Sequence, residues 1–266
     1  MPEDTITKPI STVLRGRTVL ITGASRGIGA ATARRFAAHG AAVGINYHRS
    51  KDEADALVQD IVTAGGEALA VQASVGDADQ VARMVERTEA ELGPIDTLVA
   101  NAVAYRAFAR GPLTELDWTD FQDVVVGEVA AVYFPARAVV PRMIAQGGGS
   151  IIAVGSIAAR LPGFPGAGGF APHAAGKAAV EGFVRALAMD LGQHNIRVNT
   201  IAPGFTLTDV VKDTPEEIKK QTADRTPLRR LGTPDDVAGA IMLLAMDEAR
   251  WLTGSYLAAG GGLYMP

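Results

Sequence analysis

A glycine-rich run, Thr22-Gly23-Ala24-Ser25-Arg26-Gly27-Ile28-Gly29, follows a short apolar stretch and opens a helical one. Glycines at such a junction let the backbone close on a phosphate, and the free N–H groups of the helix end attract an anion. The chemistry that fits is pyrophosphate binding, with Gly23, Ser25, Arg26, Gly27, Ile28 and Gly29 around a dinucleotide. A purely structural turn is the plainer alternative. The second apolar run ends in Asn46-Tyr47-His48-Arg49-Ser50, with no acid to accept bonds from a ribose 2′-hydroxyl. Arg26 and Arg49, with His48, instead suit a 2′-phosphate, which a planar guanidinium grips through parallel bonds. Arg49 as a solvated residue at a helix start is the competing reading. The segment predicts NADPH/NADP+ in preference to NADH.

The elements that must hold this turn alternate in type. Runs apolar on consecutive positions lie at 18–22, 42–47, 68–72, 95–100, 150–156, 197–201 and 255–259. Strands covered on both faces require that pattern, whereas half-exposed strands alternate. Helical stretches at 27–39, 51–64, 77–91, 117–145, 173–194 and 233–247 lie between them. Seven strands with helical crossovers predict an α/β fold, a Rossmann-type doubly wound seven-stranded parallel sheet flanked by helices. We expect a single dinucleotide-binding domain over 1–266, with 1–16 as an N-terminal extension. Gly- and Pro-rich segments at 147–149, 161–172 and 202–204 read as loops beyond strand ends, where such sheets bind ligands.

Composition narrows the classes. The 266 residues carry 25 Lys plus Arg against 29 Asp plus Glu, a net charge of −4, and no cysteine. A chain this long buries enough surface to hold a core without a staple. Disulfides, thiolate metal sites and thiol nucleophiles are excluded. His39, His48, His173 and His194 show no metal-binding spacing, so no metal is expected. Mild acidity argues against nucleic acid and anionic membranes as partners. Residues 1–11 lack the apolar core of a signal peptide, and no run of about 18 apolar residues is seen. A cytoplasmic protein with a small-molecule substrate is expected.

With these residues in place, the chain resembles the short-chain dehydrogenase/reductase family, in its single-domain, tetramer-forming kind, over 17–263. The glycine motif is joined by Asn101-Ala102 after the fourth strand and Ser156 ending the fifth. Lys177 stands in a long helix, and Asn199 in the sixth strand. Pro203-Gly204 with Thr206 and Thr208 follows, then Leu231-Gly232-Thr233-Pro234 before the last helix. In that family a Tyr four residues before the Lys exchanges the substrate proton, and the Lys binds the nicotinamide ribose. A Ser holds the substrate oxygen, and an Asn supports a water relay. The resemblance implies hydride transfer to or from a small carbonyl or alcohol substrate, with Ser156 and Lys177 at the reacting end. It implies Asn101, Lys177, Pro203, Gly204, Thr206 and Thr208 about the cofactor, and a lid at about 205–230. It also implies a homotetramer paired through the helices at 117–145 and 173–194.

The departures from the family pattern are chemical. Four residues before Lys177 stands His173, so an imidazole takes the place of the phenol. Glu128 stands where the relay Asn belongs, Val103 where a Gly usually follows Asn-Ala, and Ser74 and Gly260 where Asp is usual. The segment 156–173 is longer than the family's, through 161–170. Tyr47 and Lys51 have the family spacing but sit on the adenosine side and read as a decoy. With Lys177 dominant, His173 is neutral and serves as a base; with Glu128 dominant, it acts as an acid for ketone reduction. The candidate catalytic set is Ser156, His173, Lys177 and Glu128.

Alternatives stay open. An inert His173 suits an imine or conjugated-carbonyl reductase, with Glu128 stabilising a cation or simply exposed. A non-redox cyclase, isomerase or lyase, or a non-catalytic partner subunit, is the reading from other classes. Phe164, Phe170, Phe205 and Tyr105 are candidates to line an apolar pocket, or ordinary packing.

Overall fold

The computed structural model describes residues 13–161 and 169–265. Seven strands run β1 (Thr18–Ile21), β2 (Ala42–Tyr47), β3 (Glu67–Gln72), β4 (Ile95–Ala100), β5 (Gly149–Val154), β6 (Ile196–Pro203) and β7 (Tyr256–Ala259). Helices α1 (Gly27–Ala38), α2 (Lys51–Thr63), α3 (Ala78–Leu92), α4 (Trp118–Gln146) and α5 (Ala171–Leu191) connect the first six. Two more, α6 (Glu216–Arg225) and α7 (Pro234–Ala245), lie between β6 and β7. All pairings are parallel, in the order β3-β2-β1-β4-β5-β6-β7. The expected fold class is observed. The strand order reverses between β1 and β4, and that switch point opens the crevice in which such sheets bind ligands.

Every residue of β1 and β2 is buried, because helices cover both faces. One apolar layer gathers Phe36, Ile45 and Ile241 beside α1, α2 and α7. The other gathers Leu20, Met84, Val139, Ile151 and Val184 beside α3, α4 and α5. Each large side chain so buried contributes about 1.5–3 kcal/mol over exposure. Residues 1–12 of the expected extension and Phe164 of the longer segment lie outside the described residues. Leu14, by contrast, is 3% exposed and packs in the first layer, with its N–H on the His39 carbonyl; it is core, not extension.

Helix α4 is capped by Asp117, whose side chain accepts from Thr119 and Asp120, and ends at left-handed Gly147. Its length and composition alone would allow a membrane crossing, as those of a core helix also do. It serves here as an inner helix, packed on α5 with Val124, Val132, Val139 and Met143 buried.

Candidate active site

The turn after β1 is held from below. The Thr22 hydroxyl accepts from the N–H groups of Asn101 and Ala102 at 3.0 and 3.1 Å. Asn101 Nδ2 donates to the carbonyls of Thr22 and Gly23 at 2.9 and 3.0 Å. At Gly29 a Cβ would lie 2.6 Å from the Gly23 carbonyl oxygen and 2.9 Å from Asn101 Nδ2, so only glycine fits. Gly23 donates its N–H to Asn46 Oδ1 at 3.1 Å, while Asn46 Nδ2 donates to Ala73 O at 3.1 Å. Asn46 was no site candidate on sequence; its signal is a polar residue in a wholly buried strand.

Arg26 precedes Gly27 as the N-cap of α1, with extended backbone and no side-chain cap, so the first N–H groups of the helix stay available. Ser25 is half-buried, and Ile28 turns its side chain toward the core, leaving only its backbone for a phosphate. Arg26, His48 and Arg49 are exposed at the same end of adjacent strands. Among the described residues neither Arg26 nor Arg49 has an ion-pair partner. Lys51 pairs with Asp55 along α2, while Tyr47 is buried.

The segment after β6 meets this turn. A Cβ on Gly27 would lie 3.5 Å from Thr208 Cγ2, which places Thr208 against the start of α1. Thr206 is buried and donates its hydroxyl to the Gly204 carbonyl at 3.1 Å. Gly204, just past Pro203 at the end of β6, donates its N–H to Ala259 at 3.1 Å. Asn199 bridges β6 to the segment before β7, donating to Leu252 O at 2.8 Å and accepting from Ser255 at 3.0 Å. Its role is to shape the sheet end. Phe205 lines a cavity of about 220 Å³ with Thr226, Leu228 and Gly261.

The cluster around His173 joins two helices and the end of one strand. Ser156 stands two residues beyond β5, not within it, and opens a single 3-10 turn, Ile157–Ala159. Its Oγ accepts from the Ala158 N–H at 3.1 Å, which leaves the hydroxyl proton to be donated elsewhere. His173 and Lys177 share one face of α5. Glu128 of α4, 1% exposed, reaches both. Its Oε1 lies 3.1 Å from His173 Nδ1, and its Oε2 lies 2.9 Å from Lys177 Nζ. The second contact joins charges without good hydrogen-bond direction, and Lys177 Nζ donates to the Val154 carbonyl at 2.7 Å.

Gly176 permits this approach, because a Cβ there would lie 2.8 Å from Glu128 Cγ. Burial by itself would raise the Glu128 carboxyl, but Lys177 and His173 together hold it below the usual carboxylate range. An ionised Glu128 accepts only, so His173 Nδ1 carries the hydrogen between them. Among the described residues no hydrogen bond engages Nε2. The sequence posed Lys177 and Glu128 as opposing influences on His173; the fold lets one carboxylate face both. It also removes the exposed-carboxylate reading of Glu128.

Aromatic rings wall the imidazole. Phe108 meets His173 edge-on at 5.5 Å between centroids, and Phe170 lies 6.5 Å away. Tyr105 packs on Phe108 at 6.2 Å, and burial with nearby Glu128 pushes its phenol up, so it stays protonated. The Gly111 N–H donates to the Gly169 carbonyl at 3.1 Å, tying this loop to the start of α5. Phe108 lies in a loop without periodicity, so no sequence signal marks it.

The family model described as Enoyl-(Acyl carrier protein) reductase matches residues 23–264. A 3-oxoacyl-[acyl-carrier-protein] reductase FabG of Staphylococcus epidermidis is 35% identical over 249 residues, 94% of this chain and 99% of that protein. An L-rhamnose 1-dehydrogenase (NAD(P)(+)) of Sphingomonas sp. is 39% identical over 259 residues, 95% and 98% of the two. A 7 alpha-hydroxysteroid dehydrogenase complexed with NADH and 7-oxo glycochenodeoxycholic acid superposes with TM-score 0.88 at 34% identity, covering 96% and 97%. A blue fluorescent protein from a metagenomic library in complex with NADPH gives TM-score 0.85 at 37% identity, covering 95% and 100%.

Proposed function

The chain belongs to the short-chain dehydrogenase/reductase family and is an oxidoreductase, and we propose that it reduces a small, largely apolar ketone with NADPH, using His173 in place of the family's tyrosine. The observation that carries this reading is the partly buried contact of His173 Nδ1 with Glu128 Oε1 at 3.1 Å. It gives the imidazole a fixed tautomer, a counter-charge and one free nitrogen, the requirements of an acid–base group.

The cofactor cradle fits a dinucleotide. Glycine is required at position 29 by close packing, the first turn of α1 offers its N–H groups, and Thr208 abuts Gly27. Arg26 and Arg49, without ion-pair partners among the described residues, would hold the 2′-phosphate, with His48 beside them. The two cofactor-bearing neighbours carry NADH and NADPH respectively, so the preference rests on those arginines. Lys177, Asn101, Pro203, Gly204 and Thr206 would frame the nicotinamide end. When bound, the reduced nicotinamide supplies a hydride to the carbonyl carbon.

The protein groups handle the oxygen. Ser156 donates its hydroxyl hydrogen to the carbonyl oxygen, since its lone pair already takes the Ala158 N–H. The imidazolium of His173 gives the Nε2 proton to that oxygen and is left neutral, with Nδ1–H still on Glu128. Oxidation runs the same steps backwards, Nε2 taking the alcohol proton. Phe108, Phe170 and Tyr105 exclude water from this exchange. We further propose a homotetramer paired through α4 and α5.

The test follows NADPH oxidation with a panel of apolar ketones, and repeats it with His173→Phe. Loss of about tenfold or more in turnover is expected; an unchanged rate removes His173 from proton transfer. Product formed without a change in cofactor absorbance would instead favour the non-redox reading.

A further inference from the structure

Ser156 must present its hydroxyl to an oxygen that His173 also reaches, yet the two residues sit on different elements. We propose that Tyr256 is a positioning residue for this reaction, holding the Ser156 peptide against the face of α5 that carries His173 and Lys177. The inference rests on the ketone-reductase reading above. Tyr256 opens β7, two strands over from β5. Its Oη donates to the Ser156 carbonyl at 3.1 Å. Burial pushes its phenol up to about 12, so this donor persists across the working pH range.

The ring itself is clamped. The Arg160 guanidinium lies over it at 3.9 Å from the centroid. Arg160 forks onto Glu181, with Nε 2.9 Å from Oε2 and a second contact to Oε1. Glu181 is nearly buried and also takes Arg185. His173, Lys177 and Glu181 recur every four residues along α5, on one face. The contacts therefore close a loop that runs from Ser156 through Tyr256, Arg160 and Glu181 back to the helix of His173. Neither Tyr256 nor Arg160 touches the reacting atoms; the loop sets the spacing between the Ser156 hydroxyl and the imidazole. Misplacement of such a pair by a fraction of an ångström lowers turnover with little effect on binding.

The experiment is a double-mutant cycle on NADPH-dependent ketone reduction with Tyr256→Phe, Ser156→Ala and the double variant. Tyr256→Phe keeps the ring under Arg160 and removes only the hydroxyl. We expect it to lower kcat about tenfold with the NADPH KM unchanged, and the double variant to be no slower than Ser156→Ala. Arg160→Lys, which loses both the fork and the stack, is expected to act in the same direction and to be equally silent beside Ser156→Ala. An unchanged kcat in Tyr256→Phe overturns the proposal, as does a full extra tenfold loss in the Ser156→Ala background. A wild type that transfers no hydride to any ketone removes the functional reading and this proposal with it. Hydride transfer with additive variants removes this proposal alone.

Discussion

Glu128 Oε1 lies 3.1 Å from His173 Nδ1 across the α4–α5 contact, although 45 residues separate the two in the chain. On the proposed reading, that distance makes His173 an oriented acid–base group. It also fixes what each substitution around it must do.

Glu128→Gln keeps the shape and removes the charge. The imidazolium loses its counter-charge, so turnover should fall about tenfold to a hundredfold. Steady-state ketone reduction by both proteins checks this, and an unchanged kcat would contradict it.

Restoring the family's phenol should not by itself restore its chemistry. In His173→Tyr the phenol would face an ionised Glu128, and like charge would oppose its deprotonation. The pair His173→Tyr with Glu128→Asn should be several-fold more active than His173→Tyr alone. Equal activities would show that Glu128 does not govern the group at position 173.

Arg49→Ala should weaken NADPH binding by about tenfold to a hundredfold, the worth of charge-assisted bonds to a phosphate, and leave NADH nearly unaffected. Fluorescence titration with each cofactor reads both constants. Equal losses would put the 2′-phosphate elsewhere.

Gly176→Ala should destabilise the fold by about 1–3 kcal/mol, because its Cβ would press on Glu128 Cγ at 2.8 Å. Thermal unfolding measures the loss, and turnover should fall with it as α4 and α5 separate.

Acid stability gives a sign that can be checked. The folded-state value of Glu128 is depressed, so its stabilisation is present above the unfolded range, about pH 4.3, and is lost as pH falls through the folded value. Wild-type stability should therefore drop more steeply toward low pH than that of Glu128→Gln. Parallel slopes in denaturant titrations from pH 6 to 3 would refute the assignment.

The fold was legible because buried parallel strands write themselves as consecutive apolar residues, as in 42–47, and because α4 announces its start with Asp117. The cofactor turn was legible because its glycines answer a local demand. His173 was singled out by its spacing from Lys177. Its contact with Glu128 was not, since it depends on how closely two helices approach, and Gly176 sets that distance without a pattern of its own. Asn46, Phe108 and Tyr256 act through partners remote in sequence, and Leu14 joined the core from a stretch taken for a tail. Each is a tertiary fact with no local period to betray it.

One carboxylate shared by His173 and Lys177 would, on the proposed reading, couple the imidazole to whatever the ammonium holds. Whatever draws the Lys177 ammonium away from Oε2 leaves more of the negative charge to the imidazole, and a proton arriving on the imidazole loosens the hold on Lys177. Cofactor binding should then tighten the Glu128–His173 contact, visible as slower exchange of the imidazole Nδ1 hydrogen with solvent.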